Sequence, residues 1–211
     1  MTRPACVLFD LDDTLAHYDH DTRVRVLATR VGVAPARIEA ELFASGLEHE
    51  TDLGVYDPSG QAAELARRLG VAVSLDDCIA ARAAGMAPDA DVIALAGRLA
   101  PQATLAMLSN NGSLIRDHLA ALCPPLAPLF GGRVFCSADF GIGKPDPEIY
   151  LRCAERLGLA PATILFIDDK AANAEGARTA GMQAHHHRSL ADLQAALRAH
   201  GLLDAVPIAS A

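Results

Sequence analysis

The chain has 211 residues, of which 51% are hydrophobic, and 26 acidic against 18 basic residues give it a net charge of −8. This composition is typical of a globular protein with one full-sized core, or with a core and a smaller insertion, and excludes a disordered or fibrous chain. The negative charge and the lack of a basic run argue against nucleic acid or an anionic membrane as a partner.

The chain begins with a short apolar run, Ala5 to Phe9, which predicts a buried strand. This run is too short for a signal peptide, and no later stretch approaches the ~20 apolar residues of a membrane helix. The five cysteines are scattered and include no CxxC pair, and Cys6, Cys136 and Cys153 stand in apolar patterns that place them in the core. We therefore expect reduced thiols in a cytoplasmic protein.

The next segment, residues 16–87, shows helical rather than strand periodicity, for example at Leu65 and Leu69. A connection from a first strand to a helix normally takes a few residues, so about seventy residues predict an inserted helical subdomain. The predicted division is an α/β core of residues 1–15 and 88–211 and an all-helical cap of residues 16–87.

Strands and helices alternate in the remainder of the chain. Apolar runs that predict strands lie at Ala103–Leu108, Arg133–Cys136, Thr163–Ile167 and, more weakly, Met182–His187. Helical patterns cover Leu114–Leu122, Pro147–Leu157, Ala171–Ala180 and Ser189–Ala199. Strands that alternate with helices are typical of a Rossmann-like open parallel sheet in the α/β class.

Polar residues follow three of these strands directly. They are Asp10 after the first, Ser109, Asn110 and Asn111 after the second, and Asp168 and Asp169 after the fourth. Because ligands bind beyond the carboxyl ends of the strands in an open parallel sheet, these side chains are expected to converge.

Lys144 is expected at the same edge of the sheet. Pro145 favours an extended backbone for Lys144. Asp146 and Pro147 then fit the N-cap and the first residue of a helix. The sequence therefore predicts a lysine on a stiff loop beside the acidic residues.

Four short stretches resemble the motifs of the haloacid dehalogenase-like hydrolase superfamily. They are DLDDT at 10–14, SNNG at 109–112, GKPDP at 143–147 and IDD at 167–169. They occur in the order of that superfamily and span essentially the whole chain, and the helical insertion resembles the cap of its phosphatase-type members. The resemblance implies a phosphatase that acts on a small phosphorylated metabolite, such as a sugar phosphate.

The resemblance also implies a role for each motif residue. Asp10 would be the nucleophile that becomes a phospho-aspartate, and Asp12 the general acid and base. Ser109, Asn110 and Lys144 would bind the phosphoryl oxygens.

A divalent metal is expected because the site is so acidic. At 4 Å and an effective dielectric constant of 20, two like unit charges repel by roughly 4 kcal/mol, which one lysine cannot offset for a phosphate among several aspartates. Oxygen ligands favour Mg²⁺ over zinc. By resemblance, the ligands would be the Asp10 side chain, the Asp12 main-chain carbonyl and Asp169, with Asp168 bound directly or through water.

Two further residues are expected to support the site. Thr14 would orient the nucleophile loop by hydrogen bonding, and Asn111 lies beside the phosphoryl-binding residues. Asp13 is expected to point to solvent.

Other sequence features favour no metal or substrate role. Three consecutive histidines, His185 to His187, point to alternating faces if extended, so an edge strand or a loop is the better interpretation. The insertion carries residues that are interpreted as solvated surface, namely His17, His20, Arg23 and His49.

Three alternatives stay open. A phosphomutase would use the same chemistry with a cap that retains a bisphosphate, and a 2-haloacid dehalogenase would use Asp10 on a carbon–halogen bond without metal. A phospho-accepting receiver module would also combine acidic residues with a lysine, but it is shorter and lacks a helical insertion. The chain could be a monomer or a homodimer.

Overall fold

The computed structural model describes residues 3–204. In chain order its strands are β1 (Cys6–Phe9), β2 (Ala16–Tyr18), β3 (Met86–Pro88), β4 (Thr104–Ser109), β5 (Val134–Cys136), β6 (Ile164–Asp168) and β7 (Gln183–His186). Five of them form a parallel sheet in the order β5-β4-β1-β6-β7. The predicted open parallel sheet is therefore confirmed, with β7 as an edge strand that carries His185 and His186.

Helices cover the sheet and fill the segment between β2 and β3. They are α1 (His20–Val31), α2 (Pro35–Ile38), α3 (Leu47–Asp52), α4 (Pro58–Leu69), α5 (Leu75–Ala84), α6 (Ala90–Leu99), α7 (Leu114–Leu122), α8 (Ala127–Phe130), α9 (Pro147–Leu157), α10 (Ala171–Thr179) and α11 (Leu190–Ala199). A π-helical turn covers Glu39–Ala44, and 3₁₀ turns cover Ser137–Asp139 and Pro161–Thr163. The predicted bounds of α7 and α9 are confirmed, and those of α10 and α11 differ by one residue.

Helix α6 has no counterpart in the sequence prediction. The Asp89 side chain caps its first turn by accepting from the main-chain N–H groups of Asp91 and Val92. Val92, Leu95 and Leu99 then face the core at helical spacing, so the pattern for this helix is present in the sequence.

The expectation of an all-helical insertion is wrong at both of its ends. Strands β2 and β3 pair antiparallel, with Ala16 opposite Pro88 and Tyr18 opposite Met86, and α5 ends at Ala84. Three-residue strands are too short to show a period, and this ribbon is created by pairing between residues seventy positions apart. The predicted domain boundaries lie within the ribbon and remain a prediction.

The apolar residues form three clusters that match this layout. One lies on each face of the sheet, around Phe9 and Leu105 on one side and Leu8 and Phe166 on the other. The third, which includes Leu65, lies within the insertion and holds its helices together. Burial of apolar side chains at ~25 cal/mol per Å² is the main force that stabilises such clusters.

The cysteines agree with the expected core positions. All five are free and buried, and Cys6, Cys136 and Cys153 are fully buried. Among residues 3–204, no helix combines the length and the apolar character that a membrane span requires.

Candidate active site

The carboxyl ends of three adjacent strands meet at one cavity of about 280 Å³. Asp10 directly follows β1, Ser109 ends β4 and Asp168 ends β6, and these strands are neighbours in register. The cavity is lined by Asp10, Asp12, Ser109, Asn110, Asn111, Lys144, Pro145, Lys170 and Asn173. The predicted convergence of the strand-end residues is therefore what the fold produces.

Lys144 lies at the centre of the site, and its side chain is 1% exposed. Its Nζ is 2.7 Å from Asp10 Oδ1 and 2.7 Å from Asp168 Oδ2, and it donates to the main-chain oxygen of Leu108 at 3.1 Å. Burial lowers the pKa of Lys144, but the two carboxylates outweigh burial and raise it above its usual value. The lysine therefore stays charged and holds the ends of β1 and β6 together.

The loop that carries Lys144 is fixed by Asn110. The Asn110 side-chain amide donates to the main-chain oxygen of Lys144 and accepts from its main-chain N–H, both at 2.8 Å. Asp146 then caps α9 by accepting from the N–H of Glu148, with Pro147 as the first helical residue, as predicted. Because the Asn110 side chain is engaged with the loop, a donor from this residue to a phosphoryl group would have to be its main-chain N–H.

Asp168 is saturated with hydrogen bonds. Its two carboxylate oxygens accept from Lys144 Nζ, from Asn173 Nδ2 and from the main-chain N–H of Lys170. Burial opposes ionisation of this carboxyl, but Lys144 and these hydrogen bonds outweigh burial and hold its pKa below the usual range. Asp168 is therefore a buried anion that orients a lysine and an asparagine.

Asp10 contacts the same lysine, but burial affects its ionisation more strongly. Its Oδ1 accepts from the main-chain N–H of Leu11 at 2.7 Å. Burial raises the pKa of Asp10 to about 8, Lys144 partly offsets this effect, and the nearby Asp168 adds to it. A further positive charge beside Asp10, in addition to Lys144, would favour its ionised form.

The acidic residues also satisfy the requirements of a magnesium site. Carboxylate oxygens of Asp10, Asp168 and Asp169 lie within 4.8 Å of one another. Asp169 Oδ1 is buried and has no hydrogen-bond partner within residues 3–204. Burial, and to a lesser extent the charge of Asp168, raises the pKa of Asp169. A buried carboxylate oxygen without a donor is costly unless a cation binds it, and an all-oxygen donor set suits Mg²⁺.

Asn111 connects two of the predicted site residues. Its Nδ2 donates to Asp12 Oδ2 at 3.1 Å and to Ser109 Oγ at 2.5 Å. Ser109 is buried, whereas the Asp12 side chain is 27% exposed. Asn111 therefore links Asp12 to Ser109 through hydrogen bonds from its side-chain amide.

Thr14 does not behave as expected. Its hydroxyl is buried but has no hydrogen-bond partner among residues 3–204, so the predicted hydrogen bond that orients the nucleophile loop is absent there. The turn is held instead by main-chain bonds, such as that from the N–H of Leu15 to the oxygen of Leu11. Asp13 is exposed as predicted, with a positive φ of 56°, and its side chain accepts from the N–H of Tyr18.

Several residues near the site escape the sequence analysis. Arg82 of α5 is 2% exposed and contacts Asp12, while Lys170 is exposed at the edge of the cavity. Asn173 lies in the first turn of α10 and donates to Asp168, so its position directly after the acidic pair is a signal that could have revealed it. No local pattern identifies Arg82, because its partner lies 70 residues away.

The interpretation of Arg23 as solvated surface is wrong. Arg23 is 7% exposed and makes two hydrogen bonds to Glu48, at 2.5 and 3.0 Å. Glu48 also accepts from Gln61, so the guanidinium is buried within a polar network. A cavity of about 280 Å³ adjoins this network and is also lined by Asp12 and Asp52.

The chain is similar to several known phosphatases and hydrolases. A phosphatase of Mycobacterium tuberculosis is 40% identical over 79 residues, which are 37% of this chain and 36% of that protein. A phosphorylated carbohydrates phosphatase of Thermotoga maritima is 44% identical over 41 residues, 19% of each protein. The matched segments thus span about a third and a fifth of these relatives.

A solved structure shows the same fold over nearly the whole chain. It is a haloacid dehalogenase family enzyme of Bacteroides thetaiotaomicron in complex with magnesium and inorganic phosphate. Its TM-score is 0.73 at 20% identity, with 90% of this chain and 98% of that chain covered. The model of the haloacid dehalogenase-like hydrolase family matches residues 4–181 of this chain. The protein described here therefore belongs to the haloacid dehalogenase-like hydrolase family.

Proposed function

We propose that this hydrolase is a magnesium-dependent phosphatase that cleaves a small phosphorylated metabolite through a phospho-aspartate. The observation that carries the proposal is the contact of Lys144 with Asp10 and Asp168, near an oxygen of Asp169 that has no hydrogen-bond partner in the described part of the chain. One fixed cation beside a potential nucleophile, together with oxygen ligands for a second cation, suits a phosphate dianion. The names of the two relatives described above support the same reaction class.

In the first half-reaction Asp10 attacks phosphorus and forms a bond between its carboxylate oxygen and the phosphoryl group. The bond between phosphorus and the leaving oxygen breaks, and Asp12 gives a proton to the departing alcohol. Lys144, the Ser109 hydroxyl and the main-chain N–H of Asn110 donate to the phosphoryl oxygens. Lys144 also limits the repulsion that Asp10 and Asp168 would exert on the substrate.

In the second half-reaction water attacks the phosphorus of the phospho-aspartate. Asp12 takes a proton from this water, and the bond between phosphorus and the Asp10 oxygen breaks. Inorganic phosphate is released, and the Asp10 carboxylate is regenerated. Asp168 orients Lys144 throughout, since its oxygens are held by the hydrogen bonds described above.

Magnesium would be held by Asp10, by the main-chain carbonyl of Asp12 and by Asp169. When bound, it would neutralise charge on the phosphoryl group and on the carboxylates. Asp168 is a poorer direct ligand than Asp169 because donors already occupy both of its oxygens.

The test is a panel of phosphorylated metabolites, including sugar phosphates, assayed for phosphate release with Mg²⁺ and with a chelator. We expect release that needs Mg²⁺ and that Asp10→Asn abolishes while the circular dichroism spectrum is unchanged. Turnover by the Asp10→Asn variant at the wild-type rate would refute the nucleophile assignment.

Two further arms separate the family alternatives. Halide release from a 2-haloacid that survives chelation would favour a dehalogenase. Phosphate transfer between two positions of a sugar phosphate without net release would favour a mutase.

A further inference from the structure

Arg82 connects the insertion with the acid and base residue of the site. Its Nη2 donates to Asp12 Oδ1 at 2.7 Å and to Asp12 Oδ2 at 2.8 Å. Its guanidinium lies over the ring of Tyr18, 4.5 Å from the ring centroid. With 2% of its surface exposed, Arg82 has little freedom to change conformation. The guanidinium is therefore held by a ring on one side and directed at a single carboxylate.

Asp12, in contrast, is not held by burial. Its side chain is 27% exposed and stands on the turn between β1 and β2. Besides Arg82, its hydrogen-bond partner in the described part of the chain is Asn111, at 3.1 Å. One partner thus comes from the core and the other from the insertion. A general acid must lie within hydrogen-bond reach of the leaving oxygen, so the orientation of this carboxylate decides how well it donates.

We propose that Arg82 is a positioning residue that orients Asp12 for proton transfer to the leaving group. This inference rests on the phosphatase function proposed above. Arg82 lies four residues before β3, and Tyr18 is the last residue of β2. Both members of the stacked pair are therefore attached to the ribbon that joins the insertion to the core. Packing of the insertion against the core would therefore also orient the Asp12 carboxylate.

The proposal makes a prediction that a purely structural role does not make. The ratio kcat/KM covers all steps up to the departure of the alcohol, whatever step limits kcat. A misplaced acid slows departure of a basic leaving group more than that of a weakly basic one. Phenyl phosphate and p-nitrophenyl phosphate have similar shapes, but phenolate is more basic than p-nitrophenolate. A structural defect would reduce kcat/KM for both esters by the same factor.

The experiment compares the wild-type protein and Arg82→Gln on these two esters in saturating Mg²⁺. A positioned general acid contributes about 10²–10⁴-fold, so we expect Arg82→Gln to lower kcat/KM for phenyl phosphate at least about tenfold more than for p-nitrophenyl phosphate. Asp12→Asn should show the same selectivity. Adding Arg82→Gln to Asp12→Asn should give no further selective loss, because both changes remove one function.

Arg68→Gln is the matched control. Arg68 is another arginine of the insertion, and its guanidinium pairs with Glu64 at 2.6 Å and donates to Ser45 Oγ at 2.7 Å. Its replacement should leave kcat/KM for both esters within about twofold of the wild-type value. Thermal unfolding of each variant shows whether the insertion is still folded.

Equal losses on the two esters in Arg82→Gln would overturn the proposal, and so would a selective loss that adds fully to that of Asp12→Asn. If Arg82→Gln does not fold, Tyr18→Leu provides the second test, since it removes the ring that holds the guanidinium and should show a smaller loss of the same selectivity. An equal loss on both esters in Tyr18→Leu would also overturn the proposal. A wild-type protein that hydrolyses neither these esters nor the metabolite panel would refute the phosphatase function itself, which is a distinguishable result.

Discussion

Replacing Lys144 with methionine is the most direct test of the charge arrangement in the site. Methionine keeps an unbranched apolar side chain against the ring of Phe166, over which Nζ now lies at 5.3 Å, and removes only the charge. The contact at 2.7 Å with the ionised Asp168 corresponds to about 6 kcal/mol of attraction at an effective dielectric constant of 20. Asp10 lies equally close, but its pKa is raised to about 8, so it is largely neutral at pH 7.5 and adds less. Desolvation of the paired charges offsets part of this energy, but removing one partner leaves a buried charge uncompensated, so we expect a net loss of about 3–5 kcal/mol in the free energy of unfolding at pH 7.5.

Urea unfolding measures this loss, which at about 1–3 kcal/mol per molar urea shifts the midpoint by more than about 1 M. The loss depends on pH in a defined direction. The pKa of Asp168 is held down in the folded protein, so its contribution to stability is present above the unfolded value of about 3.9 and is lost as the pH falls through the folded value. The difference in the free energy of unfolding between wild type and Lys144→Met should therefore narrow as the pH falls below about 3.9.

The control is Lys170→Met, which changes an exposed lysine at the edge of the same cavity. It should alter the free energy of unfolding by less than about 0.5 kcal/mol. Wild-type stability in Lys144→Met, or a loss that is the same at pH 7.5 and at about pH 3, would show that the buried lysine does not stabilise the carboxylates.

Asp169→Asn should raise the Kd for Mg²⁺ in calorimetric titration at least about tenfold, because it removes the charge of the unpaired carboxylate; an unchanged Kd would exclude Asp169 as a ligand. Burial and then Glu48 raise the pKa of Asp52 to about 8, so the wild-type carboxyl is neutral in the fold at pH 6 and ionised at pH 9. The wild-type protein therefore loses stability between pH 6 and pH 9, whereas Asp52→Asn does not lose this contribution. The difference in Tm between Asp52→Asn and wild type should be at least about 2–4 °C larger at pH 9 than at pH 6. An equal difference at both pH values would contradict the raised pKa of Asp52. Gly54→Ala should cost about 1–3 kcal/mol more than Gly70→Ala in urea unfolding. Both glycines have positive φ, but a Cβ at position 54 would overlap the main-chain oxygen of Ala138, whereas one at position 70 would meet nothing within 4 Å. Equal losses of stability in the two variants would refute this close contact.

The parts of the site that the sequence predicts are those set by local order along the chain. Asp10, Ser109 and Asp168 each follow or end a strand, and parallel strands bring their carboxyl ends to one edge. Capping of α9 by Asp146 is equally local, since the acceptor and its proline are adjacent. Short-range rules are therefore sufficient for this part of the structure.

The remaining features depend on tertiary contacts that no local pattern encodes. Arg82 and Asp12 are 70 residues apart, and Arg82 stands in a helix where an arginine is ordinarily solvated. The interpretation of Arg23 as solvated surface fails for the same reason, because Glu48 of another helix pairs with the buried guanidinium. The expected hydrogen bond of the Thr14 hydroxyl is absent within residues 3–204, and main-chain bonds fix the turn instead.

The paired strands β2 and β3 have a consequence for how the protein could be re-engineered. They bring the two ends of the insertion side by side, with Ala16 opposite Pro88, and antiparallel partners stand about 4.5–5.5 Å apart. Any foreign segment whose ends meet at that distance could be grafted into the same gap without moving the sheet. Such a chimera would keep Asp10 and Lys144 but would need its own cation facing Asp12. Transplanted insertions could then be compared by whether they restore hydrolysis of esters with poor leaving groups.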